Sequence, residues 1–232
     1  MRKLVVATLL GALPLIGVGI PAAGAQDETE TCGGLAVTIQ GTSGPDVLVG
    51  TPGPDVIDSG RGADNVSGDD GDDVICAGPG ADVAQGGDGN DVIEGGPGAD
   101  VLDGGVFGCC QPGNGGDDVV SGGSGDDTVF ASDFGDNTLS GGAGNDVVQG
   151  FQGNDTVSGG QGDDAVGGYT GDDVLAGGAG KDTLTGQDGD DSLAGGGQDD
   201  SLDGGLGTDH LAGGGGFDTC INGESYSSCE AP

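Results

Sequence analysis

One apolar side chain returns every ninth residue along most of this chain. The positions are Leu48, Ile57, Val66, Ile75, Ile93, Leu102, Val120 and Val129, then Leu139, Val148, Val157, Val166, Leu175, Leu184, Leu193, Leu202 and Leu211. Small and polar residues rich in glycine fill the intervals, as in GGPGADVLD at 95–103. This beat matches neither the 3.6-residue period of a helix nor the long two-residue alternation of an ordinary strand. It divides each unit in two. Six glycine-rich residues can take the positive-φ conformations of a turn, and three residues, with the aliphatic in the middle, suffice for a short strand whose central side chain points inward. Two units then make one flattened coil of 18 residues. The predicted fold is all-β, a parallel β-roll or β-helix-like solenoid of about ten stacked coils, roughly 45 Å long at about 4.8 Å per coil.

Counting places within GGPGADVLD, glycine stands at one, two and four, aspartate at six and the aliphatic at eight. The place-six register is Asp46, Asp55, Asp64, Asp73, Asp82, Asp91, Asp100, Asp118, Asp127, Asp146, Asp155, Asp164, Asp173, Asp182, Asp191, Asp200, Asp209 and Asp218. Two irregularities interrupt it. Leu139 makes Asn137, not Asp136, the place-six residue there, so one extra residue must lie between Phe130 and Phe134. The segment GGVFGCCQP (104–112) puts Cys109 at place six and Gln111 at place eight, but is still nine residues long, so the register is expected to run through it.

Composition turns this pattern toward metal. Beyond residue 25 the only cationic side chains are Arg61 and Lys181, against forty acidic ones, a formal charge of −38. Such a chain repels nucleic acid and anionic lipid and attracts cations. With 59 glycines and no tryptophan, one buried aliphatic per nine residues is a small return on the backbone order it must sustain. Stacking also brings residues such as Asp64 and Asp82 to about one strand spacing, where two charges repel by roughly 3 kcal/mol at an effective dielectric near 20. A cation between them reverses that sign. Carboxylates and glycine-loop carbonyls are hard oxygen ligands that suit Ca²⁺ better than a soft metal or the tight octahedron of Mg²⁺. The expectation is a calcium-dependent fold.

GGPGADVLD also resembles the nonapeptide G-G-x-G-x-D-x-U-x of the RTX, or haemolysin-type, calcium-binding family, over about residues 41–221. The resemblance implies a parallel β-roll in which the place-six carboxylates and loop carbonyls hold several Ca²⁺ ions between successive turns on each edge. Pairs that include Cys109 or Asn137 are expected to be weak or empty. Members of the family commonly carry a toxin, protease or lipase domain ahead of the repeats and leave by a one-step exporter. This chain departs from that plan, so no toxin or enzyme activity is carried over.

The remaining expectations are local. Residues 1–25, with Arg2 and Lys3, an apolar run and Ala23-Gly24-Ala25, read as a secretory signal peptide that directs an extracellular protein. Residues 26–40 are expected to cap the roll at one end and 222–232 at the other, with the repeats at 41–221 between them. In an exported chain the cysteines favour disulfides. Cys32 can reach Cys76, Cys220 and Cys229 can close the last coil, and adjacent Cys109 and Cys110 are either a vicinal disulfide or two thiols. His210, the only histidine, is read as a solvated surface residue. The place-five acids Asp72, Asp117, Asp126, Asp163, Asp172 and Asp190 are also read as solvated. No G-x-S-x-G elbow, H-E-x-x-H motif or EF-hand loop is present. Two other readings compete: a calcium-stiffened surface adhesin, and a β-helix enzyme acting on polysaccharide, for which Arg61 and Lys181 are too few and too far apart.

Overall fold

The computed structural model describes residues 4–5, 31–105, 116–131 and 134–229. The chain winds as a solenoid with two flat, all-parallel sheets of eleven strands each. One sheet contains Asn65–Asp70, Val83–Asp88, Val147–Gln152, Ala165–Thr170, Thr183–Asp188 and their neighbours, ending at Thr219–Ile221. This is called the first sheet below. The second contains Ile39–Thr42, Val56–Gly60, Val119–Ser124, Thr138–Ala143, Val174–Ala179 and their neighbours, ending at Ser225–Ser227. Leu4–Val5 pairs in parallel with Val47 and Leu48 at the start of the first sheet. The rest of the expected signal peptide, residues 26–30 and the Cys109-Cys110 pair lie outside the described residues.

The aliphatic comb forms the core. Leu48, Ile57, Ile75, Ile93, Leu102, Leu184, Leu202 and Leu211 are fully buried between the sheets, and Ala84 fills the small place where the comb omitted a larger side chain. In-register pairing stacks each member on its neighbour two units away, as in Val157 on Leu175 and Leu175 on Leu193. Some strands keep the three residues expected, as Val74–Cys76 and Val101–Asp103 do, but most are longer. Thr156–Gln161 and Val174–Ala179 continue through the glycines at places one and two. Bare backbone there lets neighbouring coils pair as Gly160 on Gly178. The turn is thereby confined to places four to six. Place seven adds little to the core: Val174, for example, is 52 % exposed.

The register through 104–112 requires a correction. Val92 pairs with Val119 and Val101 with Thr128, a step of 27 residues where 18 is the rule. Asp91 and Asp127, expected to stack beside Cys109, are instead bonded to Asp118 and Asp100. The physical reason is visible in the sequence: Gln111 would have carried a carboxamide into the aliphatic core. Around the other irregularity the step is 19, with Val119 on Thr138 and Thr128 on Val147. The extra residue thus falls after Phe130, as expected.

Both expected disulfides of the ends are present. Cys32, in a short antiparallel hairpin with Leu35–Ala36, bonds Cys76 on the second sheet. Cys220 holds the place-eight core position of the last strand in the first sheet and bonds Cys229, just beyond the last strand of the second. That cross-link covers the open end of the core.

Candidate metal sites

The place-six aspartates form two buried columns, one along each edge where the chain crosses between sheets. Asp46, Asp64, Asp82, Asp100, Asp127, Asp146, Asp164, Asp182, Asp200 and Asp218 line the first edge. Asp55, Asp73, Asp91, Asp118, Asn137, Asp155, Asp173, Asp191 and Asp209 line the second. All are at least 93 % buried, the most exposed being Asp55 at 7 %. The fold explains one of their oxygens. At the corner the place-six N–H has no strand carbonyl opposite it, and it donates instead to the Oδ1 of the next coil's aspartate. Asp155 N–H reaches Asp173 Oδ1 at 2.8 Å, Asp173 reaches Asp191 at 2.8 Å, and Asp164 reaches Asp182 at 2.9 Å. The column crosses both irregularities without a break, from Asp91 to Asp118 and from Asp127 to Asp146.

The second oxygen has no such account. Oδ2 of Asp64, Asp73, Asp82, Asp100, Asp127, Asp146, Asp164, Asp173, Asp182, Asp191, Asp200 and Asp209 is buried and receives no hydrogen bond. A buried carboxylate oxygen without a donor is costly. Burial pushes the carboxyl groups of Asp73, Asp82, Asp100, Asp127, Asp191 and Asp200 up to about 6, and that of Asp173 to about 7. The neighbouring aspartate charges push the same way, and the backbone N–H on Oδ1 opposes them without prevailing. At the twelve aspartates just named, the second oxygen is thus a buried acceptor that no protein donor among the described residues satisfies.

Place-one glycine shapes the surroundings. A Cβ on Gly122 would stand 2.5 Å from both Asp127 Oδ2 and Gly141 O, and one on Gly95 would stand 2.9 Å from Asp100 Oδ2 and 2.5 Å from Gly122 O. The same pair, a carboxylate oxygen of the unit and a carbonyl of the next coil, recurs at Gly177 and Gly195. Glycine is required here because a methyl group would collide with both oxygens. Among the described residues no three acidic, histidine or cysteine side chains converge on one point. A cation between coils must therefore draw on backbone carbonyls as well as carboxylates, which is the donor chemistry of Ca²⁺.

Not every predicted aspartate is alike. Oδ2 of Asp46 accepts the Thr42 N–H at 2.6 Å, and Oδ2 of Asp55 accepts the N–H and hydroxyl of Thr51 at 2.7 and 2.9 Å, so these two close the columns with protein donors. Asp64 and Asp82 lie in units whose place one is Ser59 and Ala77, both fully buried, with the Ser59 hydroxyl donating to Ala77 O. Asn137 keeps the corner bond, its Oδ1 accepting Asp118 N–H at 2.9 Å, while its amide donates to Gly135 O at 2.8 Å and to Asp155 Oδ1 at 3.1 Å.

Two features escaped the sequence. Glu224, outside the nine-residue period, ends the second column by accepting Asp209 N–H at 2.6 Å. The place-five acids are exposed but not merely solvated. Asn90 N–H donates to Asp72 Oδ1, Asp117 to Asn90, Asp136 to Asp117 and Asn154 to Asp136, at 2.8–3.0 Å. In this outer ladder the later coil donates, the reverse of the inner one. The recurring Asp/Asn choice at one stacked place was its sequence signal. Asp199, on the other edge, is held below the usual carboxylate range by the Phe217 N–H and then by Lys181, whose Nζ lies 3.0 Å away. His210 is exposed, as expected, and sits beside the Ser225 hydroxyl.

A sequence model of the RTX calcium-binding nonapeptide repeat (4 copies) matches residues 40–75, 77–107, 113–134, 132–166, 167–202 and 185–220. The break between 107 and 113 falls within the interval across which the stacking step is 27 residues. No curated protein matches the chain.

Proposed function

This chain belongs to the family of RTX calcium-binding nonapeptide repeats, and on that premise we propose that it is an extracellular protein whose rod winds up only as Ca²⁺ binds. That the repeats bind several Ca²⁺ ions in a β-roll follows from the family. The residue assignment and the coupling to folding are our reading. The ligands are the interior place-six carboxylates from Asp73 to Asp218, with loop carbonyls beside place-one glycine. Asp46, Asp55, Asp64, Asp82 and Asn137 contribute least, because protein groups already occupy their second oxygen or the space beside it. Asn137 in addition brings no charge. The single observation that carries the proposal is the buried Oδ2 without a donor, repeated in successive coils. A metal-free stack keeps like charges one strand spacing apart, whereas a divalent cation neutralises two at once.

The two disulfides fit an oxidising compartment. Low cytoplasmic calcium would keep the chain unwound until export, and calcium outside would then stabilise the fold by mass action. Circular dichroism of the purified chain tests the coupling: strand signal is expected to be small in chelator and to rise cooperatively by millimolar Ca²⁺. An equally strong strand signal after exhaustive chelation would overturn it.

A further inference from the structure

The two flat faces differ at place two. On the second sheet that row is glycine, from Gly60 through Gly96 and Gly142 to Gly214, with φ of 90°, 99°, 116° and 106° at these four. On the first sheet three successive coils carry Phe151, Tyr169 and Gln187 there, with φ of 73°, 80° and 81°. Residues with a Cβ resist this conformation, and glycine at the same place serves the opposite sheet from Gly60 to Gly214. Backbone strain kept in adjacent coils on one face only points to work done by the side chains.

Those side chains form a row along the rod. Phe130 meets Phe151 edge-on, with ring centroids 6.1 Å apart, and Phe151 stacks on Tyr169 at 4.8 Å and 13°. Tyr169 borders a cavity of about 190 Å³. Gly167 contributes to its floor, where a Cβ would stand 3.3 Å from Tyr169 Cε2, and Gln149 and Thr185 flank that glycine in register. Thr183 and Gln187 complete the rim. From Thr128 to Gln187 the outward places seven, nine and two of this sheet carry no charged residue, although the chain as a whole has a net charge of −36. Asp103 and Asp203 bound that stretch.

We propose that this cavity binds one ring of a neutral polysaccharide. A pyranose has an apolar C–H face and a rim of hydroxyl groups. Tyr169 supplies an aromatic wall for the first. The carboxamides of Gln149 and Gln187 and the hydroxyls of Thr183 and Thr185 each donate and accept, as a sugar hydroxyl does. Phosphate, sulfate and uronate find no counter-charge here and meet a strongly negative field. The volume lies below that of sites for drug-sized ligands, which suits a single ring, and the uncharged strip lets a glycan chain continue across the coils.

Affinity electrophoresis of the calcium-loaded chain tests this, with a soluble β-glucan, a mannan or a galactan in the gel and a sulfated glucan as the charged control. At least one neutral polymer is expected to retard the chain, with at least a tenfold lower association constant for Tyr169→Gly. That variant restores the glycine of the opposite row, so its thermal midpoint should hold or rise, and Val174→Ala on the second sheet should bind as wild type. No retardation by any neutral polymer, undiminished retardation of Tyr169→Gly, or retardation by the sulfated glucan alone overturns the proposal. Circular dichroism of the same samples separates this failure from failure of the calcium reading, since it reports whether the strands are wound.

Discussion

A place-six aspartate performs two tasks through two oxygens, and the residue itself shows how to separate them. Oδ1 closes the corner by accepting a backbone N–H, and Asn137 shows that a carboxamide does this equally well. Oδ2 brings charge into a buried setting that benefits only when a cation arrives. Asp173→Asn should therefore keep the corner bond, stabilise the metal-free rod by removing a buried charge, and reduce the stabilisation that calcium adds. Urea unfolding in chelator and in calcium reads the two opposite signs; a loss of stability in both conditions would show the carboxylate to be purely structural. Proton linkage gives the same group a second test. Asp173 sits near 7 in the fold and several of its neighbours near 6, all above the ordinary carboxylate value of 3.8. Between about pH 4 and pH 7 the metal-free fold thus binds more protons than the unfolded chain, so its stability is fullest below pH 4 and declines as pH rises through 6 and 7. Strand signal in chelator should consequently grow on acidification from pH 7 to pH 4.5, while calcium affinity falls over the same range as protons compete for the carboxylates.

At the scale of the unit, phase and stacking partner are different properties. The sequence makes phase legible because the aliphatic and the aspartate recur within each nine residues, so the two faces, the comb of core residues and both columns of aspartates could be read locally. It does not make the stacking partner legible, since a step of 27 residues preserves the beat on either side as well as one of 18 does. Cys109 at place six and Gln111 at place eight marked the exception. Glu224 was invisible for a related reason: it joins the second column from outside the period, and only the fold brings it to Asp209. Gly104 already stands at place one beside Asp118, and Gly116 stacks at place four against Gly89. Removal of residues 106–114 leaves GGGGDDVVS, a regular unit. Deletion of 106–114 is expected to leave the calcium midpoint of the strand signal unchanged within about twofold and the thermal midpoint unchanged or higher. A collapse of strand content would place that segment inside the cooperative fold.

The whole molecule combines a weak core, covalently fastened ends and a large uniform charge. Each coil touches only its neighbours, so stability accumulates along the axis and the exposed end coils are the natural points of fraying. Cys32–Cys76 and Cys220–Cys229 hold those ends, but neither disulfide acts on the interior columns, where charge of one sign is repeated coil after coil. In chelator at pH 7, then, the two cross-linked ends should survive as local loops while the middle expands as a polyanion. Small-angle scattering distinguishes the two states by a wide margin. An unfolded chain of about two hundred residues has a radius of gyration of roughly 50 Å, and a stack of about ten strand spacings has one below about 20 Å. Adding Ca²⁺ should carry the chain from the first value to the second. Adding monovalent salt at the same ionic strength should produce only a modest contraction, because screening weakens repulsion between exposed charges but supplies no ligand for a buried oxygen. Full compaction by salt alone would mean that repulsion, rather than a missing bridging cation, keeps the metal-free chain open.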